Sequence, residues 1–175
     1  MADVGPERGL DVAPDVDPVE WVRKHWAEGE LPAPDHFAAM AALLRTHQAM
    51  VTEMDRRLKP HGMSRTAFLL MATLLISRDH TRPLGQLSRH LMVHPTTVTL
   101  VIDQLENRGL VSRTPHPTDR RTVLAALTDA GREAVIKASD DLATIQFGLP
   151  GVSDSLAQRT TGVLRQIRTR VGDLS

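Results

Sequence analysis

The sequence predicts a mainly α-helical protein with one small β-hairpin set between helices. Three observations carry that reading. Apolar residues recur at steps of three and four along most of the chain, which marks helices with one buried face. Two β-prone runs, residues 110–114 and 122–127, flank the polar stretch PHPTDR, the pattern of a hairpin. No internal repeat is visible, and 175 residues suit one domain with an arm.

Residues 1–18 hold three Pro and five acids without periodicity, the composition of a flexible acidic arm. Pro18 opens a short helix with Trp21, Val22 and Trp26 at helical spacing and Gly29 as its stop. LPAP at 31–34 reads as a linker, because prolines this close cannot continue a helix. Residues 19–34 thus form an extra N-terminal helix and linker. Asp35 can cap the next helix, which runs to about Lys59. Phe37, Met40, Ala41, Leu44, Val51, Met54 and Leu58 give it one stripe, His47 falls within that stripe, and Pro60 and Gly62 end the helix.

Ser64 caps a helix running to residue 77 that is apolar nearly all round, so it should be buried on most sides. Arg78-Asp79-His80 turns the chain into a short helix, 84–91, with Leu84, Leu87 and Leu91 inward. His94-Pro95 starts the next helix, with Val98, Ile102 and Leu105 inward and Gly109 as the stop. After the hairpin, Thr128 begins a helix that carries Val135, Leu142 and Ile145 and breaks at Pro150-Gly151. A last helix carries Leu156, Val163, Leu164, Ile167 and Val171.

Composition narrows the function. With no Cys, a disulfide scaffold, a thiolate zinc finger and a thiol nucleophile are excluded. No apolar run approaches the ~18 residues of a membrane span, and the acidic N-terminus lacks the parts of a signal peptide. A cytoplasmic protein without membrane contact is expected. G-x-S-x-G, P-loop, H-E-x-x-H and G-x-G-x-x-G motifs are all missing, so neither an enzyme nor a cofactor is expected. Tyr is absent and Phe occurs three times, which argues against base-stacking platforms. The 21 basic and 21 acidic side chains balance, yet residues 1–30 carry eight acids and three bases, while 78–132 carry eight Arg and five acids. The middle is locally basic, and its bases are all arginine, whose planar fork suits phosphate.

Residues 84–127 concentrate these signals. Two helices joined by a tight turn, then a hairpin with a basic tip, make a winged helix-turn-helix. The second helix offers Pro95, Thr96, Thr97, Thr99, Leu100 and Asp103 outward. Threonine can hydrogen-bond a base or meet a thymine methyl in a major groove ~12 Å wide. At the hairpin tip, Thr118-Asp119-Arg120-Arg121 lets Asp119 hold one arginine while the other projects toward a minor groove.

The segment LGQLSRHLMVHPTTVTLVIDQLENRGLVSRTPHPTDRRTVLAALTDAGREAV, residues 84–135, resembles the MarR family of bacterial transcriptional regulators. LENRGLVSR (105–113), DRR (119–121) and LTDAGR (127–132) stand at the family's closing turn, wing and first dimer-side helix. With its flanking helices the resemblance covers roughly 35–172. It implies a MarR-type domain over 35–175, with dimerisation helices 35–60 and 128–172 and a winged helix-turn-helix with a two-stranded β-wing over 64–127. It further implies a homodimer, often a repressor, reading a pseudo-palindromic site on double-stranded DNA. Arg120 and Arg121 would serve the wing, with Arg121 favoured for the minor groove. Arg89 on the bracing helix would contact phosphate, and Thr96, Thr97 and Thr99 would face bases.

One departure is that the recognition helix has no Lys or Arg before Arg108, so direct guanine readout is missing from its first turns. The alternative reading is a winged-helix module that binds protein and not DNA. The extra helix with Trp21 and Trp26 is similar to a MarR subgroup that includes urate-responsive repressors, in which an acid completes the ligand site. Leu69 occupies that acid position here, which points away from urate and to a small apolar or aromatic effector, or to none. Trp26, His47, Met50, Phe68 and Met71 are the expected pocket residues.

Overall fold

The computed structural model describes residues 16–119 and 121–173; most of the arm 1–18, and Arg120, lie outside the described residues. Backbone packing divides the chain into two units, meeting between Ala49 and Met50. The first holds α1 (Pro18–Glu28) and the larger part of α2 (Pro34–Leu58). Asp17 caps α1, its carboxylate accepting the Val19 N–H at 2.9 Å, and Pro18 follows at the first helical position. Trp26 stacks on Phe37 with ring centroids 3.9 Å apart, and its indole N–H donates to the Pro32 carbonyl at 2.9 Å. The helix α2 begins two residues earlier than a cap at Asp35 implies. Pro34, read as linker, is its first residue, because a proline lacks only an N–H that a first helical turn leaves unpaired anyway. Asp35 therefore sits inside the first turn, where its charge meets the positive end of the helix dipole.

The second unit is built around α3 (Arg65–Leu75). Ser64 caps it as expected, its Oγ accepting the Ala67 N–H at 3.1 Å. The helix packs on α4 (Leu84–Leu91), α5 (Pro95–Asn107), α6 (Asp129–Ala143) and the sheet. That position explains an apolar residue on nearly every side: Leu70, Met71 and Leu74 are fully buried. Around them lie Leu58 from α2, Leu87 from α4, Val98, Ile102 and Leu105 from α5, and Val135 and Leu142 from α6. Each such side chain contributes about 1.5–3 kcal/mol by leaving water.

The sheet has one strand more than the hairpin. β2 (Val111–Pro115) and β3 (Val123–Leu127) pair antiparallel, with Arg113 opposite Ala125. On the other side of β3 lies β1 (Thr81–Pro83), giving the order β1-β3-β2. Three residues carry too little alternation to register as a strand in sequence. Thr128 joins the sheet to α6. Its hydroxyl accepts the Gly131 N–H at 3.0 Å and donates to the Gly109 carbonyl at 2.8 Å, while its N–H donates to the Leu110 carbonyl at 3.2 Å. Thr128→Ala is expected to lower stability by about 1–2 kcal/mol, measured as a shift of the urea midpoint at constant slope.

The chain leaves α6 at Ala143, earlier than Pro150-Gly151 suggests. Gln146, Phe147 and Gly148 take successive left-handed φ values of 49°, 55° and 86°, which no helix continues. A Cβ on Gly148 would meet the Met50 carbonyl oxygen at 2.7 Å, so only glycine fits there. α7 (Asp154–Arg170) buries no residue, and Leu156, Val163 and Ile167 along its apolar stripe are exposed. Among the described residues no helix is long and apolar enough to cross a membrane.

Candidate nucleic-acid interface

The start of α5 follows from two residues. Pro95 needs no N–H partner, and His94 caps the helix, its Nδ1 accepting the Thr96 N–H at 3.3 Å. Val98, Val101, Ile102 and Leu105 then face the core. Pro95, Thr96, Thr97 and Thr99 stand exposed on the other side, with Leu100 56% exposed. The Thr99 hydroxyl donates to the Pro95 carbonyl at 3.1 Å, which leaves its oxygen as an acceptor and its methyl for an apolar contact.

Arg113 fastens α5 to the wing. Its guanidinium pairs with the Asp103 carboxylate, donates to the Thr99 carbonyl at 3.2 Å and lies 3.6 Å from Glu106. Its backbone N–H donates to Glu106 Oε1 at 3.2 Å. Asp103, one of the outward positions in sequence, is thus engaged with the sheet. At the other end of α5, Arg108 donates to the carbonyls of Gly62 and His61 at 2.6 and 3.2 Å. Neither role was legible beforehand. Arg113 looked like an ordinary residue of a β-prone run, and no spacing rule links it to Asp103 across a turn.

Among the described residues, two side chains hold the wing tip. Asp119 accepts the Arg121 backbone N–H at 3.0 Å and the Thr122 hydroxyl at 2.6 Å. These bonds, the hydroxyl first, hold its carboxyl below the usual carboxylate range. Asp119 thus restrains the backbone of the tip, since a short carboxylate readily reaches an N–H two residues ahead; the expected hold on a neighbouring arginine side chain involves Arg120, which lies outside the described residues. His116 is the second restraint, its Nδ1 facing the N–H groups of Thr118 and Asp119 at 3.3 and 3.2 Å. Arg121 is left exposed.

Between α4 and the wing runs a groove of about 510 Å³, bordered among others by Gln86, Arg89, His116, Arg121 and Thr122. Two exposed guanidinium groups from separate elements therefore share one cleft. Of the expected pocket residues, Phe68 and Met71 are 4% and 0% exposed in the core, and they offer no free surface as folded. Met50 is half-buried against that core. His47 is exposed, outside any buried stripe of its unit, and the polar end of Trp26 is occupied by Pro32.

The MarR family model matches residues 63–123, from the approach to α3 through the first residue of β3. The solved structure of Sco5413, a MarR family transcriptional regulator from Streptomyces coelicolor, superposes with a TM-score of 0.73 at 33% identity, covering 81% of this chain and 98% of that one. The chain belongs to the MarR family. MarR proteins are transcriptional regulators and not enzymes, so the exposed arginines and threonines stand on a regulator scaffold. A second MarR structure, Sco3205 of the same organism in complex with DNA, shares the fold at a TM-score of 0.69 and 18% identity, over 77% of this chain and 86% of that one. The transcriptional regulator MhqR of Bacillus subtilis is 30% identical over 89 residues, 51% of this chain. The matched stretch spans 60% of the length of MhqR.

Proposed function

We propose that this chain is a sequence-specific DNA-binding regulator that works as a cytoplasmic homodimer, most simply as a repressor, on a pseudo-palindromic operator. The observation that carries the reading is the groove shared by Arg89 and Arg121, beside a recognition helix whose polar first turns stand free of the core. Arg121 enters the minor groove and Arg89 holds phosphate, and Arg120 is the second arginine of the wing sequence that serves DNA. Pro95, Thr96, Thr97, Thr99 and Leu100 meet base edges and thymine methyls, while Asp103 stays with Arg113. Helices 35–60 and 128–172 form the dimerisation region, and residues 64–127 the reading head. Support for pairing comes from α7, whose Leu156, Val163, Ile167 and Val171 are exposed, and separately from Met40, Leu43 and Leu44 on α2. An apolar or aromatic small molecule that prefers one spacing of the two heads would shift the population away from the DNA-competent state.

Labelled duplexes tiling the DNA that flanks the protein's own coding sequence test the reading. Binding is expected, with log affinity falling against log salt at a slope of about −0.9 per phosphate contacted. A flat salt dependence, or no binding to any tile, would favour a winged-helix module that binds protein. The absence of Lys and Arg from residues 95–107 is the feature that speaks for that second reading.

A further inference from the structure

The wing tip holds a histidine whose neighbours select the tautomer of its neutral ring. The N–H groups of Thr118 and Asp119 lie 3.3 and 3.2 Å from His116 Nδ1, and the Thr118 hydroxyl lies 3.3 Å from the same atom. A backbone N–H can only donate. Nδ1 must therefore present its lone pair, and the neutral ring carries its proton on Nε2. The ring borders the groove that also holds Arg89 and Arg121. The His116 backbone N–H donates to the Thr122 carbonyl at 3.0 Å, and the Thr122 N–H donates to the Asp119 carbonyl at 3.0 Å. Imidazole and carboxylate thus divide the turn between them. His116 takes the N–H groups of residues 118 and 119, and Asp119 takes that of 121.

Resting on the DNA-binding reading above, we infer that His116 is a positioning residue for DNA recognition: in its neutral form it holds the wing turn that presents Arg121, and acidification releases it. A proton on Nδ1 would face two N–H groups and remove their acceptor, leaving Asp119 as the remaining side-chain acceptor among the described residues of the turn. The described charged groups near the ring are the Asp119 carboxylate on its own turn and Arg89 and Arg121, which border the same groove. Simple attraction between a cationic imidazole and DNA predicts tighter binding in acid, so the sign of the pH effect separates the two accounts. His94 makes a related cap on α5, but with one backbone donor at 3.3 Å, and it serves as the control.

The test compares the full-length protein with His116→Asn, His116→Gln and His94→Asn, using the flanking-DNA duplexes at pH 7.5 and pH 5.5. Asparagine places its oxygen near the position of Nδ1 and does not titrate in this range, while glutamine reaches toward Nε2 and leaves the turn uncapped. The wild-type protein is expected to lose about tenfold in affinity on acidification. His116→Asn should bind within about twofold of wild type at pH 7.5 and lose less than twofold at pH 5.5, whereas His116→Gln should be weak at both. His94→Asn should keep the acid loss. Imidazole ¹⁵N shifts at pH 7.5, without DNA, should report a bare Nδ1 and a protonated Nε2 for His116. Binding that survives at pH 7.5 but is unchanged or tighter at pH 5.5, or an asparagine variant that retains the full acid loss, overturns the positioning role and leaves the regulator reading intact. Failure to bind any duplex at pH 7.5 overturns both.

Discussion

Gly131→Ala is expected to cost at least about 3 kcal/mol of folding stability, at the upper end of what overpacking a protein interior does. Gly131 lies in the first turn of α6, and a Cβ there would stand 1.9 Å from the Leu110 carbonyl oxygen and 2.9 Å from its carbon. The obstacle is backbone, so no rotamer change relieves it. Moving Leu110 breaks its bond from the Thr128 N–H; moving α6 breaks the cap from the Thr128 hydroxyl to the Gly131 N–H. The two elements meet at one point, and a single methyl separates them. Urea denaturation followed by circular dichroism reads the loss directly. A shift below about 1 kcal/mol would mean that the helix start can slide along the strand.

The largest functional effect is expected at Arg121. Removing its guanidinium should weaken operator binding about 10- to 100-fold, the range for one well-placed arginine contact with DNA. Stability should hardly change. The turn is fixed through the Arg121 backbone N–H, which Asp119 accepts, and the side chain itself is exposed. Fluorescence anisotropy and a thermal melt on the same Arg121→Ala sample separate the two quantities. Unchanged affinity would take the wing out of the recognition surface, whereas a drop in both would assign Arg121 a structural role.

The sequence foretold the helical elements because their determinants are local. Ser64 and Thr128 cap helices three residues before the N–H groups they accept, and the Val98, Ile102 and Leu105 face of α5 repeats at helical spacing. The exposed first turns of α5 followed from the same periodicity. Determinants joining distant residues stayed hidden. β1 is a strand only because β3 passes beside it, and Arg113 pairs with Asp103 only because the chain reverses after Gly109. The end of α6 was misplaced for a related reason. Pro150-Gly151 is a stronger local stop than Gln146-Phe147-Gly148, yet the latter is where Gly148 must approach the Met50 carbonyl. The stripe of α7 was legible as periodicity, but periodicity does not say what covers it. Phe68 and Met71 lie in the core, and apolar residues of the right size for a ligand pocket are equally right for a filled core.

The strand order β1-β3-β2 bears on how the protein behaves at high concentration. Its two outer strands are three and five residues long, and each ends in a proline, Pro83 and Pro115. Short margins that lack an N–H at one end are poor templates for an incoming strand. The projecting tip can therefore crowd against copies of itself along a nucleic acid without seeding edge-to-edge aggregates.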